Sequence, residues 1–409
     1  MADGTVTTPH GLCWGAPTFE SQAAPEQAVA LLQRALEAAP GNPRLLARLA
    51  AVQRDRYDFA GAAASYETLR RAAPEDVAIR IRLAACLNEL GRAAEALQLL
   101  ETSDALGPLE PEALYQRATA LIGLGRLDAA ERDLGAALAA APDHRNACGA
   151  LLRLLRKADR NQEALAACEA LAVLGVGHAQ LLLDWGLALA ACGQQRRASA
   201  LMFDPARLGR ASLPAPAPFA EPTQFCAALS ETLSAHPLVL SQLAWRDANR
   251  GSRRVHQLLG GRRTDLVRAL AASLEDAIDR FVGGLPAQGE ADPWLMARPR
   301  RARLSCWGLI QRAGEFEEWH SHPAGWLSGV CYLRLPRAFR TEGEGEGCIE
   351  FGPPPGLAEA GCAPCQALRV APQEGLVLLA PSHYLHRTIP FAAPGERISF
   401  AFDVVPDAP

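Results

Sequence analysis

Glu318-Trp319-His320-Ser321-His322-Pro323 is the stretch around which the C-terminal half of the chain is organised, answered by His386-Arg387 and then by Arg397-Ile398-Ser399. Side chains on an extended segment alternate with period two, so His320 and His322 are expected on one side. A third imidazole from a later strand, His386, can close a metal site with them. Arg397 and Ser399 repeat the same spacing, which puts a guanidinium and a hydroxyl on one face, ready to hold a carboxylate. The pattern reads as a metal plus an acidic co-substrate.

Outward from this stretch the chain reads as short strands, Arg303 to Gln311, Trp326 to Leu335, Cys348 to Phe351, Ala367 to Val370, Leu376 to Ala380 and Arg397 to Val405. Short strands with regular turn signals suggest a sandwich or barrel. Before them, Phe225 to Leu285 has a helical pattern, with Leu266, Leu270, Leu274, Ile278 and Val282 recurring at fours. A helical lead-in (225–302) outside a small antiparallel jelly roll (303–409) accounts for both. Pro214, Pro216, Pro218 and Pro222 mark 208–224 as a semi-rigid linker.

Residues 25–207 form a repeat array. Pro40, Pro74, Pro108 and Pro142 are evenly spaced, and Ala28, Ala62, Ala96, Ala130, Ala164 and Ala198 keep the same period. Gly91, Gly125 and Gly193 mark turns in this frame, and Tyr57 and Asp159 occupy that slot in other copies. The period, the small residue at the helix crossing and the proline after the second helix resemble the tetratricopeptide repeat. Each copy cannot bury its apolar face alone, so neighbours stack into a superhelix with a groove suited to a protein or peptide partner. Self-association, or packing on the chain's own C-terminal domain, is the other use of such an array. The fold class expected is therefore α+β multidomain: a segment 1–24, an all-α tetratricopeptide superhelix, the linker, and a double-stranded β-helix with flanking helices over 225–409.

Composition narrows the function. The chain has 409 residues, 49% hydrophobic and 21% charged, with a net charge of -4, which argues against a dedicated nucleic-acid binder. It shows neither a signal-peptide pattern nor an apolar run long enough to span a membrane, and a cytoplasmic location is expected. Lys157 is the sole lysine, so a Schiff-base lysine in the C-terminal half is excluded. Cysteines such as Cys86, Cys148, Cys168 and Cys192 read as small buried hydrophobes in a reducing compartment. Cys362-Ala363-Pro364-Cys365 lacks the second pair of a structural zinc site and reads as a loop feature, with a disulfide or accessory metal role open. The acidic run Glu342 to Gly347 reads as a connection between strands. Trp307, Trp319 and Trp326 are expected in the barrel core, and His383 at the surface or beside the ligands.

The run His320 to Leu333, with Gly375 to Ser382 and His386, resembles the 2-oxoglutarate and iron(II)-dependent oxygenases found beside tetratricopeptide repeats, and is similar at longer range to prolyl hydroxylases. The resemblance covers about residues 225–409. It implies that His320 and His386 ligate iron, that His322 stands where the broader superfamily has an aspartate, and that Arg397 and Ser399 bind the distal carboxylate of 2-oxoglutarate, with Tyr332 assisting. The usual facial triad has two histidines and a carboxylate. Here the three imidazoles bring no negative charge, and Glu318 or Glu350 are the carboxylates that could restore it. The implied activity is a dioxygenase that uses O2 and converts 2-oxoglutarate to succinate while hydroxylating a protein or peptide. A three-histidine oxygenase without 2-oxoglutarate, or a non-catalytic scaffold with a degenerate barrel, are the alternatives.

Overall fold

The computed structural model describes residues 12–19, 25–101, 110–237, 239–241, 248–255, 258–261, 263–286, 292–337, 345–354 and 367–407. Pro108, the first half of the acidic run (342–344) and the Cys362 and Cys365 motif lie outside the described residues. The chain divides into two compact units, residues 23–167 and residues 1–22 with 168–409.

The first unit consists of antiparallel helices: α1 (Pro25–Ala38), α2 (Pro43–Asp55), α3 (Phe59–Ala72), α4 (Val77–Glu89), α5 (Ala93–Glu101), α6 (Pro111–Gly123), α7 (Leu127–Ala140), α8 (Arg145–Lys157) and the start of α9 (Asn161–Val173). Side chains at the helix starts satisfy backbone N–H groups that have no partner within the helix. Asn42 accepts from the amides of Arg44 and Leu45, Asp58 from Gly61, and Asp76 from Ile79. Between the two helices of each copy the chain turns through a left-handed residue, at Gly91 (φ 70°) and Gly125 (φ 72°), and also at Tyr57 (φ 61°) and Asp159 (φ 58°), in the slot that the repeat frame predicts. Ala62, Ala96, Ala130 and Ala164 are fully buried, because a larger side chain would push adjacent helices apart.

The second unit opens with two short strands, β1 (Cys13–Trp14) and β2 (Thr18–Phe19), and resumes with α10 (Ala179–Ala191) and α11 (Gln195–Met202). It continues through β3 (Gly209–Ser212), α12 (Pro222–Ser234), β4 (Val239–Ser241), β5 (Asn249–Arg250), β6 (Arg253–Val255), α13 (Thr264–Gly284) and α14 (Pro293–Met296). The β-rich part follows as β7 (Arg301–Arg312), β8 (Phe316–Glu317), β9 (Leu327–Arg334), β10 (Ile349–Phe351), β11 (Leu368–Val370), β12 (Leu376–Pro381), β13 (His386–Thr388) and β14 (Glu396–Pro406). The six strands expected from the sequence all form, within two residues at each end.

A large sheet runs in the order β3-β12-β9-β14-β7-β6-β4, with β1 and β2 also paired to β7, and it faces a small sheet of β11-β10-β13. This is a jelly roll with flanking helices, so the α+β architecture stands. Two stretches differ from the sequence reading. Within 208–224, residues 209–212 form an edge strand on β12, and Leu213, fully buried, donates its amide to the Gly375 carbonyl at 2.7 Å. Between α12 and α13 the described residues make β4, β5 and β6 and one short 3-10 turn (Leu258–Gly260) rather than a continuous α-helix. Gly251 (φ 91°) turns the chain there, and β6 extends the large sheet by pairing with β7. Among the described residues no helix is long and apolar enough to cross a membrane.

Candidate metal centre and co-substrate pocket

Main-chain pairing sets the three histidines. The amides of His320 and His386 each donate to the other's carbonyl, at 2.9 and 3.0 Å, and the His322 amide donates to the Ser382 carbonyl at 2.8 Å. One ligand atom from each of the three imidazoles can be chosen so that all lie within 4.8 Å of one another. Among the described residues, this is the one group of three or more His, Cys, Asp or Glu so placed.

Their inner nitrogens are occupied. His320 Nδ1 lies 2.7 Å from the Glu318 carbonyl and His386 Nδ1 lies 3.0 Å from the Tyr384 carbonyl. His322 Nδ1 lies 2.8 Å from Asp403 Oδ1. An Nδ1–H donated to an oxygen leaves the lone pair on Nε2, the arrangement that metal-binding histidines use. The donor set thus fits a metal ion. Burial holds His386 well below the ordinary histidine pKa, and the neighbouring His320 and His322 push it the same way. Burial also opposes charge on His322, yet the Asp403 carboxylate more than offsets it and holds that pKa above the ordinary value.

The two carboxylates considered from the sequence are both engaged by arginines. Glu318 is exposed and accepts from Arg250 Nε and Nη2 at 3.0 and 2.5 Å. Glu350 is buried and accepts from Arg369 Nε at 2.8 Å and Arg387 Nε at 2.6 Å. Besides Asp403 behind His322, the acid beside the histidines is Glu317, whose Oε2 lies 3.7 Å from His320 Nε2. Strand alternation pointed to Glu318 instead, but β8 ends at Glu317 and the Glu318 amide turns away to the Ala248 carbonyl.

Beside the histidines a cavity, partly open to solvent, lies between the two sheets. Arg397, Ser399, Tyr332 and Glu317 line it together with His322 and His386. Arg397 is 1% exposed. Its Nε and Nη2 donate to Gln311 Oε1 at 3.0 and 2.5 Å, and its Nη1 donates to the Gly347 carbonyl at 2.7 Å. Both partners are neutral, and no carboxylate among the described residues is ion-paired with it. Ser399 is buried and stands opposite Tyr332 across β14 and β9. Burial pushes the Tyr332 hydroxyl up to about 12, so it stays protonated and able to donate. Gln311, unmarked in the sequence reading, holds the guanidinium in place.

One further expectation needs correction, that for His383. Trp326 is core, stacked on Trp294 at 5.0 Å, and Trp307 is buried as expected while also lining the cavity, where it stacks on His322 at 5.7 Å. His383 is not at the surface: it is 1% exposed and donates Nε2–H to the Leu201 carbonyl at 2.8 Å.

Comparison with known proteins accords with this geometry. Residues 305–403 match the family model described as "Putative 2OG-Fe(II) oxygenase". Residues 53–122 and 115–177 match tetratricopeptide-repeat models. All three histidines, Arg397 and Ser399 fall inside the 2OG-Fe(II) oxygenase match. No curated protein matches the chain. Among solved structures, a prolyl-4-hydroxylase of Pseudomonas putida is 15% identical, with 49% of this chain and 93% of that one covered and a TM-score of 0.32. A tetratricopeptide-repeat protein of Thermus thermophilus is 26% identical, over 40% of this chain and 90% of that one, with a TM-score of 0.35. The type IV pilus biogenesis factor PilW is 22% identical, over 44% and 83%, with a TM-score of 0.38.

Proposed function

We propose that the chain is an iron(II)- and 2-oxoglutarate-dependent dioxygenase that hydroxylates a protein or peptide recruited by the repeat groove. The observation that carries this reading is Arg397, a buried guanidinium with only neutral partners, lining the same cavity as two of three histidines whose Nδ1 atoms are already occupied. A buried cation whose hydrogen-bond partners are all neutral is costly, and a carboxylate delivered by a co-substrate relieves that cost.

In this reading His320, His322 and His386 would hold iron(II) through Nε2. The metal with 2-oxoglutarate would supply the oxidising chemistry, in which O2 is consumed and succinate and carbon dioxide are released. Arg397 would fork onto the distal carboxylate of 2-oxoglutarate, with Gln311 fixing the guanidinium plane. Ser399 and the protonated Tyr332 would donate to the same end. Glu317 places negative charge at the histidine end of the cavity. The apolar walls, including Trp307 and Phe351, would limit the access of water to the reacting centre. The repeats raise the local concentration of a tethered partner, which favours a macromolecular substrate over a free metabolite.

Succinate formation by purified protein, with iron(II), 2-oxoglutarate and air, tests the reading. The absence of both turnover and 2-oxoglutarate binding to the metal-loaded protein would sink it.

A further inference from the structure

His322 stands out among the three histidines because its Nδ1 partner is a carboxylate, whereas those of His320 and His386 are main-chain carbonyls. Resting on the metal-centre reading above, we infer that Asp403 is the positioning residue of this site and delivers to it, through the His322 ring, the negative charge that three imidazoles lack.

The geometry is a closed loop. Asp403 Oδ1 accepts from His322 Nδ1 at 2.8 Å and from the Ser328 hydroxyl at 2.6 Å. Ser328 Oγ lies 2.7 Å from Ser382 Oγ, and the Ser382 carbonyl accepts the His322 amide at 2.8 Å. With the Ser328 proton committed to Asp403, the Ser382 hydroxyl is the donor in the serine pair. Ring, carboxylate, two hydroxyls and main chain therefore fix one another, and all but His322 are at least nine-tenths buried. Trp307, stacked on His322 with 19° between the planes, holds the remaining freedom of the ring.

Closeness of backbone keeps the loop small. A Cβ on Gly325 would stand 2.4 Å from Ser382 Oγ, so a side chain there would push the hydroxyl off Ser328. Asp403 shares a face of β14 with Arg397 and Ser399, since strand positions alternate. One face of a single strand thus presents the groups for the carboxylate and the group behind the ligand. A carboxylate behind a ligating histidine fixes its tautomer and makes its other nitrogen a stronger donor. That effect stands in for a directly bound carboxylate, without using a coordination position.

The test is titration of the full-length protein with cobalt(II), followed by its visible absorption bands, and unfolding curves for each variant. Asp403→Asn, which keeps the shape and removes the charge, is expected to bind cobalt(II) about 10- to 100-fold more weakly, with shifted bands. Ser328→Ala, which loosens Asp403 without removing it, is expected to give a smaller loss and a smaller shift, and it decides the matter if the first variant does not fold. Asp403→Glu is expected to recover part of the affinity lost in Asp403→Asn. A merely structural role would lower the unfolding midpoint but leave affinity and spectrum of the folded variants unchanged, and that result overturns the inference while the metal centre stands. Wild-type protein that binds no cobalt(II) overturns the metal-centre reading and this inference together.

Discussion

His320 and His386 face one another across a single antiparallel bridge, each amide donating to the other's carbonyl, which brings their rings to 4.3 Å between centroids. Their approach is set by main chain rather than by side-chain packing. The bridge survives removal of either imidazole, so ligand loss and unfolding are separable in experiment.

His386→Ala is therefore expected to keep the wild-type unfolding midpoint within a few degrees while losing metal. The loss should be at least the roughly 100-fold that removal of an outer hydrogen-bond partner can cause, and succinate formation should disappear. Metal content after dialysis, read beside a thermal melt, checks both halves.

Arg397→Ala is expected to raise the 2-oxoglutarate concentration needed for half-maximal succinate formation. A hydrogen bond to a charged group contributes about 1.5–3 kcal/mol, which corresponds to roughly 10- to 150-fold. High co-substrate should recover most of the rate. Arg397→Lys should recover little, because an ammonium cannot fork onto a carboxylate. A rate that stays lost at saturating 2-oxoglutarate would place Arg397 in the chemistry rather than in binding.

His383 makes the fold sensitive to acid. Burial draws its pKa down to about 3, with the Leu201 carbonyl acting against this and Arg207 adding to it. Its Nδ1 is buried with no partner, so an added proton has no acceptor. The imidazole stays neutral in the folded state while the unfolded chain protonates below about 6.5. Its contribution to stability is complete above that pH and is lost as pH falls from about 6.5 toward 3, by up to about 1.4 kcal/mol per pH unit. Urea unfolding at pH 7 and pH 5 should show a smaller drop in His383→Gln than in wild type.

Gly125 tests the repeat frame. It adopts φ 72°, and a Cβ there would meet nothing within 4 Å, so Gly125→Ala changes backbone preference without creating a clash. The expected cost is about 1–2 kcal/mol, read from the denaturation midpoint of the full chain. No loss of stability would mean that the turn relaxes to another conformation.

The repeats and strands were legible because their signals are periodic and local. Alanines at one spacing become the buried crossings, and Tyr57 and Asp159 take the left-handed slot of their glycine counterparts because they occupy the same place in the frame. Paired strands such as β9, β12 and β14 were legible from short apolar runs between turn signals. The three histidines converge as their spacing suggested. Residues from distant segments were not legible: Glu317 rather than Glu318 stands by His320 because the strand ends between them. His383 is buried because α11 presents the Leu201 carbonyl to it, across 182 residues of sequence.

The sequence by itself determined the α+β architecture, the repeat frame and which side chains could form a metal and carboxylate site, because periodicity and residue chemistry are carried by neighbours along the chain. Tertiary structure alone decided which carboxylates are available. Arg250, Arg369 and Arg387 occupy Glu318 and Glu350, while folding of β14 against β9 brings Asp403 and Ser328 together behind His322. The physical reason is that an ion pair or a buried hydrogen bond depends on distances of a few ångströms between groups, and no spacing along the chain encodes those distances.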